Sequence, residues 1–194
     1  MFTILLDSSN RELAVGLSKD GCVLKSIIYE AWQAQSEYMI PELDKLLKEF
    51  EVKKEDIKDV VVSNGPGSYT GVRIAVTIAK VMACVLDIPL YHVSSLQILK
   101  CDKKPSICLI NARSNRSYIG VYENDKCLLN DQIMENDDVL KFINDHPNYV
   151  VCGDTSYLGI EGYKSNVIVE MNSLLCFLKP IENSYALRPL YLKD

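Results

Sequence analysis

A chain of 194 residues can hold one large domain or two small ones around a real core. Its 21 basic and 26 acidic side chains leave a net charge of −5, so the chain as a whole is not built to coat nucleic acid. No uninterrupted apolar run reaches the ~18 residues of a membrane span, and the N-terminus reads as a strand with neither basic leader nor cleavage site.

Residues 2–6 form an apolar strand that runs into Asp7-Ser8-Ser9-Asn10, four residues that all favour turns. Residues 13–17 make a second strand, and Asp20-Gly21 signals a hairpin into a third over 22–29. The period then changes. Met39, Ile40, Leu43, Leu46, Leu47 and Phe50 recur at three and four, predicting an amphipathic helix over 36–50 that Pro41 should kink. A charged linker over 52–58 leads to a strand beginning at Val60.

That strand enters Gly65-Pro66-Gly67-Ser68-Tyr69-Thr70-Gly71, a turn with three glycines in seven positions. Glycine there supplies φ > 0 or lets a backbone or ligand approach, and Ser68 or Thr70 can cap the following helix. Free N–H groups at that helix end suit an anion, usually phosphate. A Walker loop is excluded because Val72 follows Gly71 where lysine is required. The dinucleotide fingerprint fails because Thr70 occupies its third glycine position. The spacing fits either an anion-binding turn or a structural one.

The helix over 71–86 is almost wholly apolar. Arg73, Thr77, Lys80 and Cys84 form one narrow polar stripe, while Gly71, Ala75, Ala79 and Ala83 form a small-residue row that admits a neighbouring helix. It is either buried within its own chain or exposed on one face to a partner. With so few other helices to cover it, the partner is expected. Residues 88–93 make one more short strand, with Pro89 marking a strand start or an edge.

The second half repeats the order. Strands are expected over 106–110, 116–122 and 126–134, then a short helix capped by Asn136 or Asp137, then a strand over 149–152 into Gly153. The boundary falls near residues 100–105, dividing the chain into 1–100 and 101–194. Farther on, residues 167–169 read as a strand and 174–178 as a short helix. Two tandem βββαβα halves imply a paired α/β architecture with a cleft between them, the layout of actin, hexokinase and Hsp70.

Few residues carry obvious chemistry. Seven cysteines with no Cys-x-x-Cys pair, most inside apolar runs, read as free core thiols in a reducing cytoplasm. His92 and His146, the only histidines, exclude the common two-histidine metal motifs; carboxylate-only metal binding stays open. Asp7 suits either a cap for its own turn or an acid beside a metal-bound phosphate. Arg73 is expected to pair across an interface, and Arg113 and Arg116 to be solvated around their turn. Trp32, Tyr38 and Tyr69 fit partner anchors and core positions equally.

The strand-closing Asp7-Ser8-Ser9, the segment from Gly65 to Ile74, Asn111-Ala112-Arg113 and Pro189-Leu190-Tyr191-Leu192 occur in an order that resembles the bacterial TsaB (YeaZ) family. The resemblance is strong over residues 1–100 and patchy beyond, where the chain is trimmed. It implies an actin-like (ASKHA, ribonuclease H-like) α/β fold with a shortened second half. It also implies a non-catalytic scaffolding and activating role in threonylcarbamoyl modification of tRNA adenosine 37. The implied partners are the catalytic paralogue TsaD, the ATPase TsaE, and a second copy of the chain when TsaD is absent. Contact with tRNA would be indirect, in the cytoplasm and away from membranes. No cofactor would be required, with ATP or ADP and Mg²⁺ confined to the complex interface.

Two sets of residues follow. Asp7, Ser8, Gly65, Gly67, Ser68, Thr70 and Gly71 would form a vestigial nucleotide or anion turn. Tyr38, Leu43, Arg73, Ala75, Val76, Ala79, Lys80, Met82 and Ala83 would form the partner interface. The family often has His at the position of Gln35 and Asp at that of Asn111, and the paralogue's paired metal histidines have no counterpart here. The alternative from another class is a small ATP-dependent phosphotransferase using Asp7 and the glycine turn; a peptidase lacks any credible triad.

Overall fold

Two mixed β-sheets carry the fold in the computed structural model, which describes residues 1–102 and 104–192. Strands β1 (Phe2–Asp7), β2 (Glu12–Lys19) and β3 (Cys22–Glu30) form an antiparallel meander. After helix α1 (Gln35–Glu49), β4 (Ile57–Ser63) lies parallel to β1. Helix α2 (Tyr69–Leu86) then leads to the edge strand β5 (Leu90–Val93), giving the order β3-β2-β1-β4-β5.

The second sheet repeats the pattern with β6 (Ser106–Arg113), β7 (Arg116–Glu123), β8 (Lys126–Glu135), helix α3 (Asn136–Asp145) and β9 (Val150–Gly153). Its order is β8-β7-β6-β9, with β9 parallel to β6, and among the described residues the counterpart of β5 is reduced to a parallel bridge between Tyr163 and Cys152.

Burial on both faces explains the uninterrupted apolar runs of the first sheet. Ile4, Leu6, Val60 and Val62 pack under α1 and α2, whereas Leu5 and Val61 pack on the opposite side. That opposite side is covered by helix α4 (Val167–Leu174), where a strand is predicted. β-branched residues at 167–169 favour a strand, but Asn166 accepts from the N–H groups of Ile168 and Val169 and starts a helix. Val167, Ile168, Met171 and Leu174 then face the sheet at helical spacing. A segment from the sequence's second half thus completes the first sheet's core.

Helix α1 includes Pro41 within its span. Two local expectations change. The small-residue row of α2 faces inward, into a core that also holds Met39, Leu43 and Leu46 of α1. Ala75, Ala79 and Ala83 are buried in the core that α2 shares with its own sheet, bringing its backbone close to the strands. The thiols are mostly not core residues: Cys108 and Cys152 are buried, Cys84 and Cys101 half-buried, and Cys22, Cys127 and Cys176 exposed. By length and composition α2 could cross a bilayer, although its sheet-facing side is buried in this fold.

Polar contacts tie the halves together. Ser94 Oγ donates to Asp131 Oδ2 at 2.5 Å on β8 and accepts from the N–H of Leu96, joining the connecting segment to the second sheet. Lys100 in that segment reaches Glu170 on α4 at 2.5 Å and Asp102 at 3.1 Å; the side chains of Lys100 and Glu170 are only 4% and 7% exposed. Burial pulls the Lys100 ammonium pKa down, but its bonds to Glu170 and Asp102 outweigh this and hold it above the ordinary lysine value.

Candidate functional site

Much of the glycine turn is packed against its own chain. Ser9 O accepts from the N–H of Ser68 at 2.7 Å, Gly65 N–H donates to Ser95 Oγ at 3.1 Å, and Gly71 N–H donates to Ser68 Oγ at 3.2 Å. Ser68, not Thr70, therefore caps α2, while Ser8 Oγ donates to Gly71 O at 2.7 Å. Gly67 at φ 159° and helical Gly71 make room for the carbonyls of Ser9 and Ser8, and Gly65 at φ 110° for that of Leu190. Three of the turn's N–H donors are thus used within the chain, on Ser9 O, Ser95 Oγ and Ser68 Oγ.

Asp7 is sealed beneath this turn. Its Oδ1 accepts from Ser63 Oγ and from the N–H of Ser9, and the residue is 5% exposed. Burial pushes its carboxyl pKa up, against the pull of those hydrogen bonds. Among the described residues, no cluster of three or more His, Cys, Asp or Glu side chains is placed to hold a metal ion.

The sign of the stability linkage follows from the raised value. An acid bound to its proton more tightly when folded costs stability once ionised, and that cost is relieved as pH falls through the folded pKa. Asp7→Asn keeps an oxygen acceptor for both donors and removes the ionisation. Its thermal midpoint is expected to exceed wild type at pH 7, with the gap narrowing toward pH 4. A lower midpoint at pH 7 would contradict this account.

Of the interface residues predicted from sequence, Leu43, Ala75, Val76, Ala79 and Ala83 are 0–4% exposed and belong to the chain's own core. A helix on a sheet buries its smallest residues inward, where the spacing alone suggested another helix. Arg73 and Lys80 are engaged by the tail. Arg73 Nε donates to Tyr191 Oη at 2.6 Å, Tyr191 stacks on Tyr69 with centroids 4.9 Å apart, and Lys80 Nζ donates to the carbonyls of Tyr185 and Leu187. Met82 is half-buried and Tyr38 is 45% exposed. The outward apolar positions of α2 are instead Val81 and Val85, 55% and 75% exposed, and Ile40 on α1 is 51% exposed. Sequence spacing missed them because the whole helix is apolar.

Beside the turn, the loops of both halves border a cleft of about 660 Å³. Gln35 is buried at its edge and donates from Nε2 to Asn10 O at 3.0 Å, fixing the β1–β2 loop. Asn111 Oδ1 accepts from the N–H of Arg113 at 2.8 Å. Both departures from the family pattern have local structural jobs.

Two sheets of one topology, facing across a cleft, define an actin-like (ASKHA) α/β protein. The chain belongs to the TsaB (YeaZ) family. The model of TsaD, tRNA N6-adenosine threonylcarbamoyltransferase, matches residues 29–150. The tRNA threonylcarbamoyladenosine biosynthesis protein TsaB of Bacillus subtilis is 35% identical over 144 residues, covering 72% of this chain and 62% of that protein. The chain thus spans about three-fifths of the curated TsaB relatives it matches first. The uncharacterized protein MG208 of Mycoplasma genitalium is 26% identical over 200 residues, covering 100% of this chain and 95% of that protein. YeaZ from Pseudomonas aeruginosa has the same fold at a TM-score of 0.81 and 19% identity, covering 98% of this chain and 99% of that one.

Proposed function

We propose that this chain is a non-catalytic scaffolding and activating subunit in threonylcarbamoyl modification of tRNA adenosine, acting by dimerisation with a TsaD-type paralogue. The observation that carries the reading is the open apolar face of α2, where Val81 and Val85 project outward. Exposed apolar area concentrated on one helix is what a partner helix covers. Family membership and the printed names of the curated relatives support the process. Burial of Asp7 against Ser63 and Ser9 supports a role without phosphoryl transfer. In this reading a second copy takes the partner's place when it is absent, and TsaE joins the complex. Contact with tRNA is indirect, ATP or ADP binds only where subunits meet, and the assembly works in the cytoplasm.

The test uses Val81→Glu and Val85→Glu, since a charge at fully buried Ala79 would report on folding instead. Both are outward positions, so thermal stability should stay within about 0.5 kcal/mol of wild type. Capture of the TsaD paralogue should fall at least roughly tenfold, equivalent to ~1.4 kcal/mol. Undiminished capture by the folded variants would sink the proposed interface. Full tRNA modification in a reconstitution lacking this chain would sink the activating role.

A further inference from the structure

The tail runs back along one flank of α2, antiparallel to the helix. Ile181 N–H donates to Leu90 O at 2.8 Å, and Leu190 N–H donates to Asn64 O at 2.6 Å. Between these points Lys80 Nζ donates to Tyr185 O at 2.7 Å and to Leu187 O at 3.0 Å. About two turns nearer the start of the helix, Arg73 Nε donates to Tyr191 Oη at 2.6 Å. Leu187, 8% exposed, plugs into the core that lies under α2. At 100° per residue, Arg73, Lys80 and Cys84 share the tail's flank, whereas Ile78 and Met82 lie on the opposite one, half-buried against that core. Val81 and Val85 stand between the two flanks.

The polar stripe of α2 is therefore spent on holding the chain's own tail. Lys80 grips backbone carbonyls, so the side chain of Tyr185 is left free to point outward, 74% exposed. Its phenol lies against the Cys84 thiol, which raises the phenol pKa above the ordinary tyrosine value. Cys84 adjoins Val85 on the helix. Among the described residues, Val85 and Tyr185 are the two most exposed large apolar side chains, at 75% and 74%. A tyrosine whose backbone is already fixed loses little further freedom when a partner covers its ring, and tyrosine is one of the residues that most often dominate interfaces. The TsaD model matches residues 29–150, a stretch that holds both α1 and α2. A TsaD-type protein thus carries a segment akin to this helix pair and has an apolar helix to lay over α2.

On the subunit reading given above, we propose that residues 181–192 form part of the surface that binds the TsaD-type paralogue. Tyr185 anchors an apolar helix of that partner against Val81 and Val85. Arg73 and Lys80 are positioning residues that hold the tail, and they act on the partner through it.

Capture of the TsaD paralogue by the full-length chain tests this with Tyr185→Ala, Tyr185→Phe and Lys80→Met. Tyr185→Ala should weaken capture at least roughly tenfold, the effect of truncating an interface anchor. Tyr185→Phe should stay within about twofold, because the ring is what the partner covers. Lys80→Met keeps an apolar stem but releases both carbonyls. It should weaken capture too, yet add nothing to Tyr185→Ala in the double variant, since it acts through that ring. Amide exchange over residues 183–187 should quicken in free Lys80→Met and slow in the wild-type chain when the paralogue is added. Tyr185 is exposed, so an unchanged thermal midpoint checks the fold of its variants.

Wild-type capture by Tyr185→Ala, full additivity of the two changes, or tail exchange indifferent to the paralogue would each overturn the inference. Weakened self-association with undiminished capture would assign the surface to a second copy and overturn it as well. Val81→Glu separates the two levels. If it loses capture while Tyr185→Ala does not, the tail inference fails alone; if both capture like wild type, the subunit reading fails with it.

Discussion

Gly71→Ala is expected to destabilise the protein by about 3 kcal/mol, a cost at the upper end of that for overpacking a filled site. For a chain of this size, that lowers the thermal midpoint by roughly 6–12 °C. On an isolated helix the same substitution would gain about 1 kcal/mol from helix propensity. Tertiary contact reverses the sign. A Cβ at position 71 overlaps the carbonyl oxygen of Ser8, a backbone atom that no rotamer change can move aside. Relief requires α2 to move away from the β1–β2 loop, breaking the bonds from Ser8 Oγ to Gly71 O and from Ser68 N–H to Ser9 O. Gly21→Asn is the control. That residue sits at φ 84° with open space around its added Cβ, and Asn tolerates left-handed backbone. Chemical denaturation of both variants decides the matter; a Gly71→Ala protein within 0.5 kcal/mol of wild type would refute the close packing.

Lys100→Met is expected to be at least as damaging, and its repair is the informative half of the experiment. Removing one partner of a buried ion pair leaves the other charge desolvated, at a cost of about 3–5 kcal/mol. Here the stranded group is Glu170, 7% exposed on the helix that covers one whole face of the first sheet. Asp102 is 67% exposed and remains hydrated when Lys100 is lost. The double variant Lys100→Met, Glu170→Leu removes both charges and should recover to within about 1 kcal/mol of wild type, because apolar replacement of a whole buried pair is often neutral. Equal stability of Lys100→Met and wild type would show that the pair contributes nothing. A double variant no better than the single would show that shape, not charge, governs the site.

Much of the architecture was legible in one sequence. Both meanders, helices α1 to α3 and the repeat of one pattern followed from periodicity and turn residues, since those signals are local. Helix α4 was not legible. Its first three residues are β-branched, and the cap at Asn166 and the sheet beneath Ile168 override that preference. The glycine turn was found at once, but its role was not. Glycine spacing allows a ligand or a backbone to approach, and only the position of Ser8 and Ser9 shows that a backbone does.

The same division holds for the helix behind the turn. Sequence alone determined that residues 71–86 form a helix with too much apolar surface for one sheet, because composition and spacing are properties of the chain itself. Which apolar residues remain outside was decided only by the tertiary structure. Ala75, Ala79 and Ala83 turn inward because a small side chain lets α2 approach the strands, leaving Val81 and Val85 outside. Tyr185 and Tyr191 are distant from α2 in sequence and share no local pattern with it; only the path of the tail along the helix brings them together.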